Sequence, residues 1–280
     1  MSTSPPVVAV QPNPVAPLVV TGVSKVYSAR GRGKFTAVDN VSFTIPPGAA
    51  VSLVGASGSG KSTIAKMVTG SERPTTGSIR FGDVEVERLH TGGLRKYHTR
   101  VQMVFQDPYA ALNPLHTVEY TVMRPCLNFL GMRPAQARQR VYELLEVVGL
   151  TPAAQYAAKL PHQLSGGQRQ RVVIARALAC DPELIVADEP VSMLDVSLRA
   201  GVLRLLANLR EKRGLSLLYI THDLLGARVI SDEILVLNKG KVVEQGETKH
   251  VLQHPQDEYT VQLLDAVATP FEQDGSAGSN

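Results

Sequence analysis

The sequence predicts an α/β fold in which a mostly parallel sheet is joined by an antiparallel β subdomain and an inserted helical subdomain. Three observations predict it. Short apolar runs at residues 50–54, 184–187 and 217–220 each stop abruptly at polar or Gly-rich residues, as buried parallel strands do. Each run is followed by helical patterning, at 61–70, 196–213 and 223–231, which is the βα alternation of an open parallel sheet. Residues 108–179 break that alternation, because Val141, Leu144, Leu145 and Val148, and then Val172, Val173, Ile174 and Ala177, recur at helical spacing.

In chain order, residues 1–17 contain Pro5, Pro6, Pro12, Pro14 and Pro17 and no cation, so they lack both the charged start of a signal peptide and a helical period. A flexible tail is expected there. Residues 19–45 alternate as antiparallel strands around a loop at 28–36. The folded unit is expected to span 18–268, with the helical subdomain at about 108–180, and 269–280 reads as a second flexible tail. No internal repeat of 20 to 50 residues is visible.

Composition bounds the class. In 280 residues, 44% hydrophobic against 19% charged excludes a mostly disordered chain, and the apolar runs fall far short of a membrane span. A soluble globular protein is expected. The 29 Lys and Arg against 25 Asp and Glu give +4, an excess that nucleic acid, a membrane surface or an anionic nucleotide could all exploit. Charge therefore selects no partner. Cys126 and Cys180 are too few for a disulfide framework or a metal site of usual spacing, which suits a reducing compartment.

Residues 55–62, GASGSGKS, match G-x-x-x-x-G-K-[ST] directly after an expected buried strand and before a helix. This points to a P-loop NTPase core. Glycines let consecutive backbone N–H groups curl around phosphate oxygens, the helix N-terminus adds its dipole, Lys61 supplies a point cation and the Ser62 hydroxyl can ligate Mg²⁺. The expected binding set is Gly55, Ser57, Gly58, Ser59, Gly60, Lys61, Ser62 and Thr63. At the end of the second apolar run stand Asp188 and Glu189, which must point to opposite sides if the strand persists. Asp188 is placed to hold Mg²⁺, and Glu189 is free to orient or deprotonate an attacking water. His222 follows the third run, where a neutral imidazole could hydrogen-bond a terminal phosphate or that water.

Ser165 and Gln168 in LSGGQ, residues 164–168, fit a capping box for the following helix. That reading leaves Gly166 and Gly167 unexplained, since glycine in a helix costs about 1 kcal/mol against alanine. A close approach to the backbone, such as another phosphate at the helix N-terminus, accounts for them.

The cradle, LSGGQ, the Asp188-Glu189 pair, Ser192-Met-Leu-Asp195 and His222 occur in an order that resembles the ATP-binding cassette (ABC) ATPases over nearly the whole folded part. The resemblance implies ATP and Mg²⁺ as cofactors and two cassettes paired head to tail. Ser165, Gly166, Gly167 and Gln168 of one chain would then cover ATP held by the other. It also implies that Gln106 bridges Mg²⁺ and water, and that Tyr27, which by itself fits packing equally well, stacks on adenine. Asn238-Lys-Gly-Lys241 is superficially like a guanine-reading element, but Lys241 stands where an accepting carboxylate is needed, which favours adenine.

The segment 105–114, FQDPYAALNP, resembles the dipeptide, oligopeptide and nickel importer branch, as does His254-Pro-Gln-Asp-Glu-Tyr-Thr260, although Asp257 and Glu258 stand where His-Pro is usual. No cysteine follows Cys180, so no iron-sulfur cluster is expected. The branch implies an ATPase subunit for peptide uptake, peripheral at the cytoplasmic face of a prokaryotic membrane. Its partners would be integral membrane permease subunits, a second ATPase subunit and, indirectly, an extracytoplasmic solute-binding protein. Nickel or another small solute is the alternative cargo. A nucleic-acid machine would use the small basic loop of Arg30, Arg32 and Lys34, but a single cassette without long heptads argues against nucleic acid as a partner. A regulatory subunit with dispensable hydrolysis is disfavoured by intact Lys61, Asp188, Glu189 and His222. Finally, Asp107-Pro108 and Asn113-Pro114 bias the backbone away from helix, and Tyr109, Ala110, Ala111 and Leu112 between them are expected to form an apolar docking surface for the permease.

Overall fold

The computed structural model describes residues 15–29 and 33–268. The tails expected at 1–17 and 269–280 lie outside the described residues except for 15–17, and so do Arg30 and Arg32.

The chain opens with β1 (Leu18–Ala29) and β2 (Gly33–Ile45), an antiparallel pair. Pairing continues to Ala29 opposite Gly33, further than the expected loop at 28–36 allowed. The fully buried β3 (Ala50–Val54) leads through the Gly-rich loop into α1 (Lys61–Val68). That helix ends two residues short of expectation, where the Thr69 hydroxyl bonds back to the Ala65 carbonyl at 3.0 Å. β4 (Thr76–Phe81) returns to β1, and β5 (Val84–Glu85) completes an antiparallel sheet ordered β2-β1-β4-β5. α2 (Thr91–Arg100) then feeds β6 (Val101–Val104).

Five α-helices follow among the described residues: α3 (Pro108–Ala111), α4 (Val118–Leu130), α5 (Pro134–Val147), α6 (Ala153–Ala157) and α7 (Gly166–Leu178). Their apolar faces, including Val122, Val141, Leu144, Leu145 and Ile174, share one buried cluster. The chain closes with β7 (Leu184–Asp188), α8 (Val196–Arg213), β8 (Ser216–Thr221), α9 (Leu224–Ile230), β9 (Glu233–Asn238), β10 (Lys241–Glu247), α10 (Thr248–Gln253) and α11 (Glu258–Ala268).

The second sheet is ordered β10-β9-β3-β8-β7-β6 and is parallel except where β10 pairs with β9. β3 and β8 are buried along their whole length, and each large apolar side chain so buried contributes about 1.5–3 kcal/mol. Register does the positioning. Val54 sits opposite Thr221 and Asp188 opposite Ile220, so the loops after β3, β7 and β8 leave the sheet side by side at its carboxyl edge.

The segment 109–112 departs from expectation. Asp107 caps α3, its Oδ1 accepting from the backbone N–H of Tyr109 at 2.7 Å and of Ala110 at 3.2 Å. Tyr109 is 56% exposed, with the Arg169 guanidinium 4.1 Å from its ring centre. Leu112 is only 3% exposed and joins the helical core, because the chain straightens after α3 and the Arg176 guanidinium holds the Ala111 carbonyl at 2.7 Å. Of the four expected surface residues, Tyr109 and Ala110 are therefore exposed, Ala111 is half-buried and Leu112 is core.

Candidate functional site

The loop from β3 to α1 is shaped by glycine. A Cβ on Gly55 would lie 2.2 Å from the Leu237 carbonyl oxygen, and one on Gly60, at φ +110°, 2.4 Å from the Ala37 carbonyl oxygen. The loop thus threads between β9 and β2 where only glycine fits. Lys61, 5% exposed, turns back over it and donates to the carbonyls of Gly55 at 2.7 Å and Ala56 at 2.9 Å. Burial pushes its ammonium pKa below the usual lysine value, against the pull of Glu189 and Asp188. Ser59 Oγ is buried without a hydrogen-bond partner among the described residues. An orphan hydroxyl, a desolvated ammonium and a glycine-lined turn form a cradle that fits phosphate oxygens.

Asp188 ends β7, and its Oδ1 accepts from Ser62 Oγ at 3.4 Å. Burial raises its carboxyl pKa, only partly offset by that hydroxyl and by Lys61. Glu189 corrects the expected strand alternation. Its φ is +46°, left-handed, so the strand stops at Asp188 and the two side chains are separated by a turn. Such a backbone costs a non-glycine residue about 1–2 kcal/mol. The Glu189 N–H donates to the Ile220 carbonyl at 2.8 Å, while the N–H and hydroxyl of Ser192 both donate to the Glu189 carbonyl, at 3.2 and 3.0 Å, and fix the turn. The consequence is convergence: Gln106 Nε2 donates to Glu189 Oε2 at 3.2 Å, and His222 Nδ1 lies 3.3 Å from the same oxygen.

These groups face a cavity of about 720 Å³ whose walls also include Tyr27, Phe35, Ser57, Gly58, Ser62 and Thr63. Tyr27 donates its hydroxyl to Glu72 Oε2 at 2.6 Å, and Lys25 pairs with the same carboxylate at 3.2 Å. Burial, then the hydrogen bond to Glu72, raise the phenol pKa. Phe35, 61% exposed, stands directly opposite Tyr27 in the β1–β2 register, so the rings share a face at the cavity wall. Phe35, Ala37 and Glu72 were not singled out from the sequence. The alternation of β2 carried the signal for Phe35, but only the cross-strand register brings it to Tyr27.

Ser165, Gly166, Gly167 and Gln168 are not brought to this cavity. They open α7 elsewhere, where Gln168 N–H donates to Ser165 Oγ at 3.3 Å and Ser165 N–H to Gln168 Oε1 at 3.0 Å, a complete capping box. A Cβ on Gly166 or Gly167 would meet Leu194 or Leu198 at an ordinary 3.4 Å. Packing within the chain does not require the glycines. Close by in sequence to Leu194, Met193 and Val196 are 57% and 78% exposed.

Residues 38–192 match the family described as ABC transporter, over more than half of the chain. Over 232 residues the chain is 44% identical to the glutathione import ATP-binding protein GsiA of Salmonella typhimurium (strain LT2), covering 82% of this chain but 37% of that protein. It is 42% identical over 242 residues to the oligopeptide transport ATP-binding protein OppF of Streptococcus pyogenes serotype M1, covering 86% of this chain and 78% of that one. The chain thus spans little more than a third of one such relative and most of the other. Among solved structures, the dimeric post-hydrolysis state of the ATP-binding cassette MJ0796 bound to ADP and Pi superposes with a TM-score of 0.74 at 33% identity, covering 82% of this chain and 98% of that one. CbiO1 from Clostridium perfringens, part of the ABC transporter complex cbiONQ, gives 0.75 at 27% identity over 85% of this chain and 90% of its own. By its fold, by the cradle at its carboxyl sheet edge and by these likenesses, the chain belongs to the ABC transporter family.

Proposed function

We propose that this chain is the ATP-hydrolysing subunit of an importer that takes up peptides through a separate membrane permease. One observation carries the enzymatic part: Gln106 and His222 converge on Glu189 Oε2 at the mouth of a lysine-filled glycine cradle. Lys61 leaves the Gly55 and Ala56 carbonyls for the phosphates of ATP, and the orphan Ser59 hydroxyl and the loop N–H groups complete the shell. Tyr27 and Phe35 offer the two rings against which adenine stacks.

The donor set of Ser62 hydroxyl, Asp188 carboxylate and Gln106 amide oxygen is all hard oxygen, which fits Mg²⁺. When bound, that ion neutralises charge on the phosphates. Glu189 accepts the proton of the attacking water, while His222 and Gln106 hold the receiving carboxylate in place. The water oxygen bonds to the γ-phosphorus, the bond to the bridging oxygen breaks, and ADP and phosphate leave.

The finer assignments follow the same reading. Ser165, Gly166, Gly167 and Gln168 serve the cradle of a second cassette, identical or homologous, which gives the otherwise unrequired glycines a purpose. Peptide cargo is supported by the oligopeptide and glutathione transport named for the relatives. Nickel or another small solute is tested alongside. No helix among the described residues is long and apolar enough to cross a membrane, which fits work at the membrane face beside a permease. The test is Mg²⁺-dependent phosphate release by the purified chain, followed by uptake of labelled di- and oligopeptides and of nickel in cells with and without it. Absence of ATP turnover refutes the enzyme, and unchanged peptide uptake refutes the cargo.

A further inference from the structure

The last helix of the described residues, α11, reaches the nucleotide cradle. Tyr259, near the start of α11, accepts a hydrogen bond on its hydroxyl from the backbone N–H of Ala56 at 2.9 Å, across 203 residues of sequence. Ala56 lies inside GASGSGKS, and its carbonyl in turn accepts from Lys61 Nζ at 2.9 Å and from the Ser59 N–H at 3.2 Å. Its two peptide groups are therefore held from two directions, one by a distant helix and one by its own loop. The N–H is held by α11 and the carbonyl by the lysine that meets phosphate.

The tyrosine is itself well fixed. Its N–H donates to Asp257 Oδ1 at 2.9 Å, and the N–H groups of Gln256 and Asp257 donate to the two carboxylate oxygens of Glu244 on β10, at 2.9 and 3.1 Å. Its ring packs, with Leu263 and Leu264, against a small core that includes Val54, the residue before Gly55. Two independent contacts thus join α11 to the start of the cradle, one polar and one apolar.

We propose that Tyr259 is a positioning residue for ATP binding: by holding the Ala56 N–H, it fixes the first peptide of the cradle before nucleotide arrives. The inference rests on the reading of 55–62 as an ATP site. A loop already ordered loses less freedom when phosphate binds, so the tie acts on affinity. It touches none of Gln106, Glu189 or His222, so it leaves the chemical step alone.

Tyr259→Phe keeps the ring in its core and deletes only the hydroxyl. In the full-length nucleotide-free chain, exchange of the Ala56 amide hydrogen, followed by NMR, is expected to quicken. The Kd for Mg-ATP, measured by calorimetry, is expected to rise about 3- to 10-fold, the size of one net hydrogen bond, with kcat unchanged and the melting temperature lowered by no more than about 4 °C. A tyrosine that only packs α11 predicts no change in any of these, because the ring remains. Wild-type protein that binds no Mg-ATP overturns the ATP site and this proposal with it. Wild-type binding matched by Tyr259→Phe, or an Ala56 amide equally protected in both, overturns this proposal alone.

Discussion

The side-chain amide of Gln106 donates to Glu189 Oε2 at 3.2 Å, joining the exit of β6 to the end of β7 across 83 residues of sequence. His222 reaches the same oxygen from the end of β8. One carboxylate oxygen therefore joins the loop into the helical insertion and the loop after β8. The left-handed turn at Glu189 makes this possible, because strand geometry carried one residue further would send the side chain elsewhere.

Glu189→Gln keeps the size of the side chain and its capacity to bond Gln106 and His222 but removes its basicity. ATP binding is expected to be retained and hydrolysis to fall about 10²-fold or more. Trapped ATP favours paired cassettes, so the variant is expected to elute as a dimer with ATP and as a monomer without. Turnover at the wild-type rate would remove Glu189 from the role of base.

Lys61→Ala removes a buried ammonium that bonds two carbonyls of its own loop. Most of the affinity for Mg-ATP is expected to be lost, because no other side-chain cation lies within residues 55–62. Calorimetric titration with Mg-ATP checks it, with circular dichroism confirming that the variant is folded. Unchanged affinity would mean that the cradle has another ligand.

The raised carboxyl of Asp188 carries a sign that can be tested. Its folded pKa lies above the unfolded value, so the folded state holds the proton more tightly, and stability declines as pH rises from the ordinary aspartate range through the raised pKa. Above that window the ionised, desolvated carboxylate is a cost. Asp188→Asn is therefore expected to raise the melting temperature of the nucleotide-free protein at neutral pH while abolishing the Mg²⁺ dependence of ATP binding. A melting temperature lowered at pH 7 and unchanged at pH 4 would show that the carboxylate stabilises the fold.

The sequence made the local pieces legible. GASGSGKS, the paired carboxylates, His222 and the helix cap at Ser165 each sit within a few residues of the strand or helix that presents them, and periodicity finds those elements. What it missed depends on distant partners. Phe35 meets Tyr27 only through β-sheet register, Glu72 reaches Tyr27 from 45 residues away, and Tyr259 reaches Ala56 from 203. The left-handed Glu189 was hidden because a non-glycine residue gives no local sign of a positive φ. Leu112 was misplaced for the opposite reason. Its neighbours in sequence are small or exposed, and only the packing of α3 against α7 buries it.

The last prediction concerns the proposed permease partner. Tyr109 is exposed on the short helix that follows Gln106, and Gln106 touches Glu189, so a partner seated on Tyr109 lies two short steps from the proposed base. Arg169, over the Tyr109 ring, belongs to α7, the helix that begins with LSGGQ, which ties the same surface to the second candidate phosphate site. Tyr109→Glu loses a cation–π contact of about 0.5–1 kcal/mol but gains a carboxylate that can pair with Arg169, so the fold is expected to survive. ATP binding and basal ATPase activity of the purified chain are expected to stay within about two-fold, while co-purification with the permease and solute uptake are lost, since a charge placed in an apolar contact must be desolvated. Leu112→Glu serves as the contrast. It drives a carboxylate into a core position that is 3% exposed and is expected to lower the melting temperature sharply and to impair every activity at once. If Tyr109→Glu assembles and transports normally, Tyr109 is not part of the docking surface. If Leu112→Glu melts like the wild type, the packing of α3 into the helical core is wrong.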